Sequence, residues 1–196
     1  YKGEDTRVRI GDRNRIREFV TINRGTLKGG GLTVLGDDNY LMAYAHVAHD
    51  CQIGNRCILI NGATLAGHVE VEDSAVIGAH SSVHQFVRIG RNAYIGGYSV
   101  ILQDILPFSK VAQARRSGYQ FYGPNSIGMM RNGYERDYIE HVKDIFDILY
   151  RSDLNTSQAL ENIQERFPQQ EEALLIEAFI RKSRRGILKH FNTGEF

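Results

Sequence analysis

The residues best suited to chemistry in this chain are its seven histidines and the carboxylate that follows one of them. His49 is followed directly by Asp50, and a carboxylate beside an imidazole can orient it as a general base. Imidazole changes charge near neutral pH, as acid–base chemistry requires. Gly67 has no Cβ, so a substrate could approach its backbone N–H, which could stabilise an oxyanion during acyl transfer. These residues act together only if the fold brings them to one place.

A period of six in the sequence predicts how the fold does this. An aliphatic residue occupies every sixth position over a long stretch, and neither a helix nor a single strand produces that period. A hexapeptide repeat is typical of a parallel β-helix, in which each unit forms one side of a prism. The aliphatic positions are Leu35, Leu41, Val47, Ile53, Leu59, Leu65, Val71, Ile77, Val83, Ile89, Ile95 and Ile101.

Three hexads complete one coil, so residues eighteen positions apart should lie one above the other. Successive coils are separated by one strand spacing, about 4.8 Å. This arithmetic places His49, Gly67 and Gln85 in one vertical line. It places Asp50 beneath His68 in the adjacent line. The candidate base, its carboxylate and the open glycine are therefore predicted to meet.

Two further histidines, His46 and His84, flank this line. A single histidine on its own would be interpreted as a solvated surface residue. Their convergence on one strip of the prism favours an acid–base site. Zinc is an alternative, because His46 and His49 have a spacing that resembles a ligand pair, as do His80 and His84. His80 falls on another column, and zinc needs a third and a fourth ligand. We therefore rank zinc binding well below acyl transfer and expect no metal.

Composition narrows the function classes further. The formal net charge is +1, which implies no bulk attraction to nucleic acid. No apolar run approaches the roughly 20 residues that span a bilayer, and no signal peptide is evident, so we expect a cytoplasmic protein. Cys51 and Cys57 occupy inward positions of the hexad, which indicates core packing without a disulfide. The chain opens at Tyr1 without Met, so we expect it to begin partway through a longer protein.

Three segments are predicted. Residues 1–107 form the β-helix, with the glycine-rich segment 25–31 pushed out of the coils as a loop. The repeat ends near Pro107, and residues 108–133 read as an aperiodic connector. Residues 134–196 form a small helical domain, with helices at roughly 135–151, 157–167 and 170–184 that could cover the open end of the coils.

Several motifs resemble the UDP-N-acetylglucosamine O-acyltransferase family. They run through residues 10–18 (IGDRNRIRE), 23–26 (NRGT), 29–33 (GGGLT), 45–51 (AHVAHDC), 54–57 (GNRC), 63–69 (ATLAGHV) and 83–86 (VHQF). The resemblance resumes at residues 125–133 and in the helical tail, and it covers nearly the whole chain. Members of this family have further N-terminal coils, which this sequence lacks.

The resemblance implies a left-handed β-helix and a homotrimer with active sites between subunits. It implies transfer of a 3-hydroxyacyl chain from acyl carrier protein to the sugar 3-hydroxyl of UDP-N-acetylglucosamine, the first step of lipid A assembly, without a cofactor. His49 would be the general base and Asp50 would orient it, while the Gly67 N–H would hold the thioester oxygen. The remaining implied roles are donor or sugar contacts for His46, His68, His84 and Gln85, nucleotide contacts for Asn125 and Arg131, and control of acyl-chain length for Gly97.

Other functions remain open on the residues alone. One is a different hexapeptide acyltransferase, either using acetyl-CoA or acylating an amine. Another is a trimer resembling the γ-class carbonic anhydrases, which hold zinc between subunits. A third is a β-helix that serves only as a scaffold, although it would leave the convergent histidines unexplained.

Overall fold

The computed structural model describes residues 2–113 and 119–188, and it contains a parallel β-helix followed by four α-helices. Three sheets form the walls of a prism. Wall A contains β1 (Arg7–Ile10), β4 (Leu32–Leu35), β7 (Gln52–Ile53), β10 (Glu70–Val71) and β13 (Arg88–Ile89). Wall B contains β2 (Arg15–Ile16), β5 (Tyr40–Leu41), β8 (Ile58–Leu59), β11 (Val76–Ile77), β14 (Tyr94–Ile95), β16 (Ser109–Gln113) and β17 (Tyr119–Pro124). Wall C contains β3 (Thr21–Ile22), β6 (His46–Val47), β9 (Thr64–Leu65), β12 (Ser82–Val83) and β15 (Val100–Ile101).

The strand register confirms the predicted period. Val71 pairs in parallel with Ile89 on wall A, and Val83 pairs with Ile101 on wall C, so each partner lies eighteen residues along the chain. The aliphatic residue of every hexad from Leu35 to Ile101 is at most 3% exposed. These side chains fill the prism from three sides, and their burial is the main source of the stability of the coils.

The glycine-rich segment leaves the coils as predicted. Ile10 pairs with Leu35, twenty-five residues away rather than eighteen, and Ile16 pairs with Leu41 at the same offset. The additional residues form a loop over 25–31 that contains a short 3₁₀ turn, Leu27–Gly29. Because the whole insertion lies outside the coil, the register of the strands on either side of it is kept.

The segment 108–133, predicted to be an aperiodic connector, contains regular structure. β16 continues wall B in parallel beside β14, with Tyr94 opposite Lys110, and β17 returns antiparallel to β16. A short helix, α1 (Ser126–Arg131), follows. Pro107 does end the hexads, but the chain then alternates with a period of two, and a search for a period of six misses such a strand. Residues 114–118 of this segment lie outside the described residues.

The three predicted helices are present as α2 (Arg136–Arg151), α3 (Thr156–Arg166) and α4 (Glu171–Arg181). Helix α2 packs on the β16–β17 hairpin, where Phe121 stacks on Tyr150 with ring centres 4.1 Å apart and meets Phe146 edge to face. Helices α3 and α4 pack against α2 and against each other. Residues 189–196 lie outside the described residues. Across residues 2–113 and 119–188, no helix is long and apolar enough to cross a membrane.

Candidate active site

The candidate base lies at the corner where wall C turns into wall A. At this corner three successive coils carry a non-glycine residue with a left-handed backbone: Asp50 with φ 62°, His68 with φ 60° and Phe86 with φ 66°. Residues other than glycine rarely adopt this backbone conformation. Here the coils stacked above and below hold the turn in place. Each left-handed residue directs the chain into the next wall, so the residue before it, His49, Gly67 or Gln85, recurs at the same place in each coil.

Backbone hydrogen bonds confirm that these residues are stacked. The N–H of His68 donates to the carbonyl of His49 at 3.0 Å, and the N–H of Phe86 donates to the carbonyl of Gly67 at 3.2 Å. The rings continue this stacking, because the imidazole of His68 lies parallel to the Phe86 ring with centres 4.6 Å apart. The vertical lines expected from the repeat therefore exist in the fold.

His49 and Asp50 form the centre of the site. The Nδ1 atom of His49 lies 2.8 Å from Oδ2 of Asp50, and the Asp50 side chain is 1% exposed while that of His49 is 39% exposed. An ionised carboxylate only accepts hydrogen bonds, so Nδ1 is the protonated nitrogen of a neutral His49. The other nitrogen, Nε2, then has a free lone pair, as a general base requires.

The surroundings of Asp50 keep its carboxylate ionised. Burial alone would raise the pKa of Asp50, but hydrogen bonds from the backbone and hydroxyl of Thr26 and from His49 outweigh it, and the pKa lies below its usual value. The Thr26 N–H donates to Oδ1 at 2.8 Å, and the Thr26 hydroxyl donates to Oδ2 at 2.7 Å. Asp50 is thus a fixed negative charge beside His49.

Gly67 lies directly against the imidazole of His49. A Cβ added at Gly67 would be 2.5 Å from Cε1 and 2.8 Å from Nε2 of that ring, closer than real side chains approach one another. Among the described residues, the Gly67 N–H takes part in no hydrogen bond. The His49 ring and the backbone of Gly67 therefore lie close together, so that one corner offers both a base for a hydroxyl and a backbone donor for an oxyanion.

The other predicted residues divide into two groups. His46 and His84 lie on wall C beside the corner, where His46 Nδ1 is 2.7 Å from the Thr21 hydroxyl and His84 Nδ1 is 3.1 Å from Arg185 Nη2. Asn125, Arg131 and Gly97 lie in other parts of the structure, away from this corner.

Asn125 and Arg131 line a cleft of about 660 Å³ on wall B. The Asn125 side chain accepts a hydrogen bond from the Gly128 N–H and donates to the carbonyl of Asn92, so it caps α1 and ties it to the coils. Arg131 is exposed at the end of α1, beside Lys110 in the same cleft. This cleft therefore offers cations to an anionic ligand.

Gly97 lies at the corner between walls B and C. A Cβ added there would be 3.1 Å from the carbonyl oxygen of Ala79. In a single chain, then, the structure does not bring Gly97, Asn125 and Arg131 together with the histidines.

One group of metal-ligand type occurs among the residues that the structure describes. It consists of ligand atoms from His49, Asp50 and His68, which all lie within 4.8 Å of one another. The Asp50 carboxylate already accepts hydrogen bonds from His49 and Thr26, so a metal ion would have to compete with these donors.

Thr26 is a residue of the site that the sequence pattern alone does not reveal. The glycine-rich segment predicts only a loop outside the coils, and the contact of Thr26 becomes visible in the register of the strands on either side of it. The twenty-five-residue offset that pairs Thr21 with His46 places residues 25 and 26 beside Asp50 and Cys51.

Comparison with known proteins agrees with this geometry. A family model described as "Udp N-acetylglucosamine O-acyltransferase; Domain 2" matches residues 104–188. A second model, described as "Bacterial transferase hexapeptide (six repeats)", matches residues 32–67 and 68–103.

Individual relatives point the same way. The acyl-[acyl-carrier-protein]--UDP-N-acetylglucosamine O-acyltransferase of Alkalilimnicola ehrlichii is 46% identical over 191 residues, which cover 96% of this chain and 72% of that protein. The UDP-N-acetylglucosamine acyltransferase structure from Francisella novicida superposes with a TM-score of 0.91 at 38% identity, covering 96% of this chain and 68% of that one. The corresponding structure from Bacteroides fragilis gives a TM-score of 0.90 at 41% identity, covering 96% and 72%. The chain belongs to the UDP-N-acetylglucosamine O-acyltransferase family.

Proposed function

We propose that this protein transfers a 3-hydroxyacyl chain from acyl carrier protein to the 3-hydroxyl of UDP-N-acetylglucosamine, in lipid A synthesis. The observation that carries the proposal is the imidazole of His49, which is hydrogen-bonded to the buried Asp50 and lies against the open backbone of Gly67. Family membership supplies the reaction class, and this corner supplies groups that can carry it out.

The proposed chemistry is a direct acyl transfer. Nε2 of His49 takes the proton of the sugar 3-hydroxyl while that oxygen bonds to the thioester carbonyl carbon. The Gly67 N–H stabilises the negative charge on the carbonyl oxygen in the tetrahedral intermediate. The carbon–sulfur bond then breaks, and the leaving thiolate takes the proton from the imidazolium of His49. Asp50 stabilises that imidazolium and holds its ring in place.

The remaining residues are proposed as substrate contacts. His46, His68, His84 and Gln85 lie at or beside the corner and would contact the donor or the sugar. Asn125 and Arg131 would hold the nucleotide, since a guanidinium suits its phosphates. Gly97 would leave room for the acyl tail.

A site that needs both the histidines and Arg131 would have to be formed by more than one chain. In one chain the histidines lie at the corner between walls C and A, whereas Arg131 lies in the cleft on wall B. We propose that neighbouring subunits of a homotrimer bring them together. In this arrangement the Arg131 cleft of one subunit faces the His49 corner of the next.

Acyl carrier protein is acidic, and a basic surface adjoins the proposed site. A cleft of about 870 Å³ on wall A extends from Asp50, His68 and Phe86 to the end of α4. Its lining includes the cations Arg181, Lys182 and Arg184 at and after the end of α4, together with Lys28 of the glycine-rich loop and Arg88 of β13. We propose that the basic stretch 181–185 guides the carrier to the histidines. Lys189, which extends this stretch in the sequence, lies outside the described residues. Such a donor is made in the cytoplasm, where we place the reaction.

A donor screen tests the proposed function. The protein is incubated with UDP-N-acetylglucosamine and either 3-hydroxyacyl carrier proteins of several chain lengths or the matching CoA thioesters. We expect transfer from the carrier protein to the 3-hydroxyl, and loss of at least a thousandfold in His49→Ala with an unchanged thermal unfolding midpoint. Turnover only with CoA thioesters or only with a 3-amino sugar would select another acyltransferase. Stoichiometric zinc in the purified protein would support the carbonic-anhydrase-like alternative.

A further inference from the structure

We propose that Thr26 is a positioning residue, which holds the Asp50 carboxylate on His49 and prevents it from turning to His68. The inference rests on the proposed function, because it concerns the general base of that reaction. It assigns a purpose to the glycine-rich loop 25–31, which interrupts an otherwise regular repeat.

Thr26 contacts both oxygens of the carboxylate. Its N–H donates to Oδ1 of Asp50 at 2.8 Å, and its hydroxyl donates to Oδ2 at 2.7 Å. On the other side of Asp50, the backbone N–H donates to the Thr33 hydroxyl at 2.7 Å, which fixes the main chain of the corner. The carboxylate thus accepts hydrogen bonds from two donors of one residue, in addition to its hydrogen bond with His49.

The Asp50 carboxylate has a second possible partner, His68, so its orientation must be fixed if it is to bond His49. Nε2 of His68 lies 3.7 Å from the same Oδ2 atom that bonds His49 at 2.8 Å. The terminal torsion of an aspartate is soft, so small rotations separate a bond to one imidazole from a bond to the other. Two donors on two different oxygens define the plane of the carboxylate, and this plane directs Oδ2 to His49.

The loop is shaped around this contact. A Cβ added at Gly29 would collide with the carboxylate of Asp50, so the residue at this position must lack a side chain. The Thr26 carbonyl accepts hydrogen bonds from the N–H groups of Gly29 and Gly31, at 3.0 and 2.8 Å. The loop therefore closes on its own first residues and presents Thr26 to Asp50 from a fixed position.

The consequence for the reaction is the choice of tautomer. With Oδ2 on Nδ1 of His49, the proton stays on Nδ1 and the lone pair stays on Nε2. Without the Thr26 hydroxyl, the carboxylate would be shared with His68, and His49 would populate both tautomers. Only one of them has the free Nε2 that the base needs.

The test compares Thr26→Val, which keeps the shape and loses the hydroxyl, with Thr26→Ser, which restores it. We expect kcat to fall about tenfold in Thr26→Val with little change in KM, and to recover in Thr26→Ser. In nitrogen NMR spectra of the substrate-free protein, the Nδ1-protonated tautomer of His49 should dominate in the wild type and in Thr26→Ser, and decrease in Thr26→Val. Thr156→Val, at the start of α3, is the matched control and should change neither readout.

An unchanged tautomer population and an unchanged kcat in Thr26→Val would overturn the inference, as would an equal loss in Thr26→Ser. Because the NMR readout needs no turnover, it separates this inference from the proposed function. If the wild type transfers no acyl group but the Nδ1-protonated tautomer still decreases in Thr26→Val, the proposed function is contradicted and the positioning role is retained.

Discussion

At the scale of single residues, the nitrogen of His49 that carries the proton is chosen by a buried neighbour, Asp50. The Asp50 side chain is 1% exposed, yet its pKa is below the usual value because three hydrogen bonds outweigh the effect of burial. An uncompensated buried carboxylate would instead take up a proton and stop accepting from Nδ1. The catalytic proposal therefore depends as much on the donors to Asp50 as on His49 itself.

Gly67→Ala tests the space beside the imidazole. The added methyl group would lie 2.5 Å from Cε1 of His49, so the ring must move, and a side chain near the surface can do so at little cost. We expect acyl transfer to fall about a hundredfold while the unfolding midpoint stays within a few degrees of the wild type. Steady-state kinetics and thermal melting measure the two effects. Near wild-type turnover would show that the base and the Gly67 backbone do not act together.

Asp50→Asn tests the negative charge of the Asp50 carboxylate through the pH dependence of the free energy of unfolding. The pKa of Asp50 is lowered in the folded protein, so its ionised form stabilises the fold above the unfolded-state value, near 3.8. This contribution is lost as the pH falls through the still lower folded-state pKa. We expect wild type to be more stable than Asp50→Asn at pH 6, with the difference shrinking below pH 4. Denaturant titrations at several pH values measure it, and a constant difference would contradict the assignment.

At the scale of elements, the coils and the helices are stabilised by different means. A strand of two residues has little stability of its own, and it persists because its neighbours one coil above and below hold its register. The helices depend instead on their apolar faces and their caps. Asn155 caps α3 by accepting from the Gln158 N–H, and the Gln158 side chain accepts in return from the Asn155 N–H.

Asn155→Ala tests this capping box. Both reciprocal bonds depend on the geometry that the Asn155 side chain fixes, so we expect a loss of about 1 kcal/mol in the unfolding free energy. Acyl transfer by the folded protein should not change, because α3 contributes no residue to the proposed site. Chemical denaturation followed by circular dichroism measures the loss, with the exposed Glu165→Ala as a control that should cost much less. Equal losses in the two variants would contradict the capping role.

At the scale of the whole molecule, we propose that the site is shared between chains. Mixed assemblies of His49→Ala and Arg131→Ala chains test this directly. If each site takes its base from one subunit and its guanidinium from the next, random mixing of equal amounts restores about a quarter of the sites. The two variants, each inactive alone, should therefore recover measurable transfer after joint refolding. Absence of recovery in verified mixed oligomers would contradict a shared site.

Charge at the mouth of the site gives a second prediction at this scale. We expect KM for the acyl carrier protein to rise about tenfold in Arg184→Glu, and to rise with ionic strength in the wild type, because an acidic carrier is attracted to the basic stretch. A substrate with a short pantetheine donor should show neither effect, which controls for damage to the site. Equal KM values for the carrier across salt concentrations would contradict docking at this surface.

The sequence by itself determined the prism and its main column of residues. A period of six with inward aliphatic side chains permits few other folds, and it fixes which residues are eighteen apart, so the meeting of His49, Asp50, Gly67 and His68 followed from counting. The tertiary structure decided the contacts that do not follow from the six-residue period. Thr26 reaches Asp50 from an inserted loop, and β16 adds to wall B after the repeat has ended. Such contacts depend on the path of aperiodic segments, which is set by their packing against distant parts of the chain, and no local pattern encodes that path.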